Sequence, residues 1–139
     1  MKFMLIMRDS QAAVEASQEI DFEEIINAMG AYNESMIKAG VLTSAEGLAP
    51  AAEGVVVDFA GTKPTVTDGP YGETHELFNG FWILDVSSQE EAVDWASRAP
   101  LGPGSKLEVR RIPSQEEAFA DYADNDYVKK AAELRRDDR

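Results

Sequence analysis

The chain has 139 residues, 44% of them apolar, a formal net charge of −13 and no cysteine. That length suits one domain with a core of its own, and the missing thiols exclude a disulfide framework and a thiolate metal site. So acidic a chain repels phosphate backbones, and no uncharged stretch is long enough to span a bilayer, so neither nucleic acid nor membrane is an expected partner. Arg8 and Asp9 end the N-terminal apolar run before a secretory h-region forms, so a cytoplasmic location is expected.

Lys2 to Met7 is an unbroken apolar run, the pattern of a strand buried on both faces. Arg8 to Ile20 is mixed and polar, and reads as a loop with at most one helical turn. Asp21 then caps a helix, with Glu24 three residues on in capping-box position. Along it Phe22, Ile25, Ile26, Met29, Tyr32, Met36 and Ile37 recur at spacings of three and four and predict one apolar face. Gly40 is its left-handed stop.

Val41 to Leu48 reads as a strand, broken by Ala49-Pro50-Ala51-Ala52. Val55, Val57 and Phe59 alternate with Val56 and Asp58, and Gly61-Thr62-Lys63 predicts a hairpin turn into Pro64 to Asp68. Phe78 to Val86 is the second long core strand. Ser88 to Glu91 has capping-box spacing and opens a helix offering Ala92, Val93, Trp95, Ala96 and Ala99, which Pro100 ends. Lys106 to Ile112 is the last strand.

This order predicts an α+β domain over residues 1–113: a ferredoxin-like split βαβ unit with an antiparallel sheet and both helices on one face. Residues 114–139 are acidic and alanine-rich and read as a helical C-terminal extension, with Ser114 and Glu117 at cap spacing. The other sheet face then needs a cover. Phe3, Met4, Phe78, Phe81 and Trp82 offer more apolar surface than two helices hide, so a homodimer packed sheet to sheet is expected.

The densest chemistry lies in Asp68-Gly69-Pro70-Tyr71-Gly72-Glu73-Thr74-His75-Glu76, which holds the sole histidine and three carboxylates beside a core strand. Asp68 is a candidate general base or ligand acceptor, or equally a turn residue that bonds the following amides. His75 is a candidate proton shuttle, against the reading of a solvated loop histidine. Turn-rich chain between them can return both side chains to one cleft. Tyr71, Glu73, Glu76, Arg8 and Trp82 are the binding candidates, with Arg8 suited to an anionic substrate and Trp82 equally suited to a core or dimer contact. Asp68, Glu73, His75 and Glu76 lack metal-ligand spacing, so no metal is assigned. Neither a Gly-rich phosphate loop nor a nucleophile elbow is present, and no cofactor is expected.

Asp68-Gly69-Pro70-Tyr71, together with Ala39-Gly40-Val41-Leu42, Glu46-Gly47-Leu48, Gly80-Phe81 and Glu108-Val109-Arg110, resembles the YCII-related family, specifically its Asp-Gly-Pro-Phe (DGPF) branch. The resemblance runs from Lys2 to about Ile112. It implies a dimeric α+β barrel whose facing sheets enclose clefts, with lactone isomerases, a dehalogenase and small monooxygenases among the wider relatives. Tyr71 stands where the family usually has phenylalanine, and His75 where lysine is common. The superfamily's proposed His–Asp pair has its histidine on the first helix, which here offers Met29, Gly30 and Tyr32, so only Asp68 carries over. Two function classes follow. One is a small-molecule binder or acid/base enzyme of isomerase or lyase type. The other is a non-catalytic regulatory or interaction module, linked through the family to extracytoplasmic-function sigma factor signalling.

Overall fold

A computed structural model of the protein describes residues 1–69 and 76–137. Strand β1 (Lys2–Ser10) leads to α1 (Gln11–Gln18), α2 (Phe22–Lys38) and β2 (Leu42–Gly47). A hairpin of β3 (Val55–Asp58) and β4 (Thr65–Asp68) follows, then β5 (Glu76–Asp85), α3 (Gln89–Ser97) and β6 (Ser105–Ile112). The tail carries α4 (Gln115–Ala118), a short 3-10 turn and α5 (Asp126–Asp137). The main sheet runs β2-β5-β1-β6 with all neighbours antiparallel, the strand order of the ferredoxin-like α+β fold. The β3–β4 hairpin forms a sheet of its own.

The stretch after β1 is more regular than its polarity predicts. Ser10 Oγ accepts the Ala13 N–H at 3.1 Å, and this cap turns an alanine-rich segment into the two-turn helix α1. Helix α2 is capped by Asp21 and stops where Gly40, at φ 73°, lets Gly40 N–H reach Ile37 O and Val41 N–H reach Met36 O. This pair of bonds is a Schellman motif, which satisfies the last carbonyls and reverses the chain into β2.

The core lies between one sheet face and the helices. Phe3 and Leu5 of β1 and Trp82 and Leu84 of β5 face Tyr32 and Met36 of α2 and Ala92 and Trp95 of α3. Tyr32 stands edge-on to Trp82 and donates its hydroxyl to Trp95 O at 2.8 Å. Burial pushes the Tyr32 hydroxyl up to about 12, only partly offset by Arg98, so it stays a neutral donor.

Two expectations about apolar surface are corrected. Phe3 and Trp82 belong to this core, so the second sheet face is left with Met4, Phe81 and Ile83, with Phe78 beyond the bulge at Met7/Arg8. The apolar arc of α2 is also wider than the sheet covers. Tyr32 and Met36 are buried and Ile25 and Met29 half-buried, while Phe22, Ile26 and Ile37 stay exposed.

Candidate functional site

The Asp68–Glu76 segment is anchored at both ends. On one side β4 ends at Asp68, which is exposed and pairs with Val55 across the hairpin. Gly69 N–H then donates to Gly54 O at 2.8 Å. Gly69 has a φ outside the left-handed region. Its need for glycine is steric, since a Cβ there would stand 2.7 Å from the Ala51 carbonyl oxygen. Tyr71, Glu73 and His75 lie outside the described residues, and with them the expected approach of Asp68 and His75.

On the other side Glu76 opens β5 within a row of alternating charge. Arg8 reaches Glu76 and Glu108 at 2.7 Å each, Lys106 meets Glu76 at 2.9 Å, and Arg110 meets Glu108 at 3.4 Å. The Lys106 hydrogen bond, aided by Arg8 and opposed by partial desolvation, holds the Glu76 carboxyl below its usual value. The structure thus brings Arg8 and Glu76 together, each neutralising the other. Lys106 and Arg110, at the ends of the row, are the more exposed cations. On the same strands Asn79 Nδ2 donates to Asp9 Oδ2 at 2.9 Å, and Asp9 Oδ1 is buried with no partner among the described residues.

A cavity of about 260 Å³ opens between α2 and the β2–β5 edge, lined by Met7, Met29, Asn33, Ala45, Glu46, Gly47, Gly80, Phe81 and Trp82. Gly80 permits it, because a Cβ there would stand 2.9 Å from Glu46 O and push β2 away from β5. Trp82 is a core residue with one edge on this cavity, and its indole N–H donates to Asn33 Oδ1 at 2.8 Å. That bond fixes the amide, whose nitrogen keeps two donors of its own. Apolar walls with a few oriented polar groups suit a small, mostly apolar molecule bearing one hydrogen-bonding function. A larger cavity of about 510 Å³ lies between α4 and α5, lined by Phe119, Ala123, Val128 and Ala132 among others, remote in sequence from every candidate side chain. Among the described residues no three His, Asp or Glu side chains gather as a metal site, and no helix is long and apolar enough to cross a membrane.

A family model of the YCII-related domain matches residues 1–115. The chain belongs to the YCII-related family. A relative, an uncharacterized protein of Rhizobium meliloti (strain 1021), is 27% identical over 115 residues, covering 81% of this chain and 92% of the relative. Within this YCII-related chain, Asn33 is the residue that the sequence reading misses. Its signal was available: a polar side chain at helical spacing from both Met29 and Met36, beside the face that packs on the sheet.

Proposed function

We propose that this YCII-related protein, of the DGPF branch by its Asp68-Gly69-Pro70-Tyr71 segment, binds a small organic molecule in the cavity beside Trp82. The observation that carries the reading is the pairing of apolar walls with a fixed amide: Met7, Met29 and Ala45 around Asn33. The volume lies under the ~300 Å³ at which drug-sized pockets begin, which favours a compact metabolite. The Asp68–Glu76 segment runs directly into β5, which lines the cavity at Gly80, Phe81 and Trp82. In this reading Asp68 is the base of an isomerase- or lyase-type proton transfer and His75 or Tyr71 the donor, with Glu73 a further binding group.

Proton NMR of the single histidine tests the acid/base part. A nearby Asp68 would raise the imidazole pKa above its ordinary value of about 6.5, and Asp68→Asn would bring it back. An identical titration in parent and variant removes the pair while leaving ligand binding to be tested on its own.

The second sheet face, with Met4, Phe78, Phe81 and Ile83, supports a homodimer packed sheet to sheet. Such an interface would bury more than about 2,000 Å². Light scattering at micromolar concentration should give a dimer mass, and a monomer would overturn it. A second reading, the non-catalytic interaction module, is favoured by the exposed apolar residues of α2 and α5.

A further inference from the structure

Trp82 and Asn33 together fix the hydrogen-bonding polarity of the cavity between α2 and the β2–β5 edge. An indole N–H can only donate, so the atom that meets Trp82 Nε1 at 2.8 Å is the amide oxygen of Asn33. The amide nitrogen is therefore the polar atom that Asn33 has left for the cavity it lines. It donates to no side chain or carbonyl among the described residues, and the amide cannot exchange its two ends without breaking the Trp82 bond.

The surrounding walls turn no charge into this space. Met7, Met29 and Ala45 pack against the core, and Gly47 and Gly80 bring only backbone. Glu46 is the one charged residue on the wall. Its neighbour Ala45 pairs with Trp82 on the helix-facing side of the sheet, whereas Glu46 pairs with Phe81, so strand alternation turns the Glu46 carboxylate to the opposite face. Among the described residues no lysine or arginine lines the cavity.

On the reading that this cavity holds the ligand, we propose that it selects an uncharged carbonyl compound, and that Asn33 is the residue that sets this choice. A carbonyl oxygen offers two lone pairs and no proton, which matches the two N–H donors of the amide. A carboxylate accepts as well, but its full charge would leave water for apolar walls, and one neutral amide does not offset that loss. An ammonium group carries only donors and meets Asn33 donor to donor. Ligand charge and polarity are thus both decided by one side chain on α2, held in place by one on β5.

Three probes built on one ring separate the possibilities: cyclohexanone, cyclohexanecarboxylate and cyclohexylamine, the last two charged near neutral pH. Each is titrated into the ¹⁵N-labelled full chain, and saturation of the Trp82 indole signal gives its affinity. The ketone should bind the parent at least about ten-fold more tightly than either charged probe. Asn33→Asp keeps an oxygen for Trp82 and sets a carboxylate oxygen where the donor stood. Its ketone affinity should fall about ten-fold or more, and cyclohexylamine should become its tighter ligand. Circular dichroism checks that this variant folds, and the comparison of probes on the parent stands without it. A charged probe that binds the parent as tightly as the ketone would overturn the proposal while leaving the cavity a ligand site. The parent's order of affinities retained in folded Asn33→Asp would overturn it too. No saturable shift with any of the three would overturn the cavity reading itself, and the proposal with it.

Discussion

The indole N–H of Trp82 meets Asn33 Oδ1 at 2.8 Å and ties strand β5 to helix α2 beside the cavity. Trp82 is 6% exposed, so no water replaces this acceptor cheaply if it is lost. Asn33→Ala should therefore cost about 1–3 kcal/mol of stability, the cost of a buried donor left unpaired. Asn33→Asp keeps an acceptor oxygen in place and should cost clearly less. Urea unfolding of the three proteins checks the ranking, and equal losses in both variants would show that the bond is incidental.

The second prediction separates two glycines by what surrounds them. A Cβ on Gly69 meets backbone at 2.7 Å, whereas one on Gly30, inside α2, meets nothing within 4 Å. Gly69→Ala should destabilise by about 1–3 kcal/mol because a carbonyl cannot step aside as a side chain does. Gly30→Ala should stabilise by about 0.5–1 kcal/mol through helix propensity. Thermal melts of the two variants should move in opposite directions.

The third concerns acid. Glu76 has its carboxyl held low by Lys106 and Arg8, Glu117 by Arg111, and Glu91 by the Ser87 hydroxyl and amide. A carboxyl whose folded pKa is depressed contributes stability above its unfolded value, about 4.3 for glutamate. That contribution disappears as pH falls through the lower folded value. The melting temperature should accordingly fall on acidification below about pH 4.5, and Glu76→Gln should flatten part of that limb. All three carboxylates face solvent, so each effect is small and weakens with salt. A Glu76→Gln profile parallel to the parent's through the acid range would contradict the pairing.

Much of the fold was legible because its signals are local. Asp21, the apolar spacing of α2 and Gly40 mark one helix from end to end, and Gly61-Thr62-Lys63 marks the hairpin. Helix α1 was not legible, because alanines carry no apolar period and the deciding feature is one serine cap. The separation of β3–β4 from the main sheet depends on edge pairing, which no local pattern encodes. For the site, residue type selected Arg8 and Glu76, but their ion pair follows from the β1–β5 register with its bulge at Met7/Arg8. Trp82 was legible as a large apolar residue on a core strand. Its partner Asn33 was obscured by the apolar face around it.

Ligand binding beside Trp82 is best read on the two indole N–H signals of the ¹⁵N-labelled full chain. Trp82 borders the cavity, while Trp95 is buried under Arg98, whose guanidinium lies 3.7 Å from its ring centroid, and serves as an internal reference. The probe is a panel of small lactones and hydroxy acids, titrated into the parent and into Ala45→Leu, which fills the cavity wall. The account predicts at least one compound that saturably shifts the Trp82 signal, leaves Trp95 in place, and fails to bind Ala45→Leu. A panel that moves neither indole, moves both alike, or binds Ala45→Leu as well as the parent would contradict it.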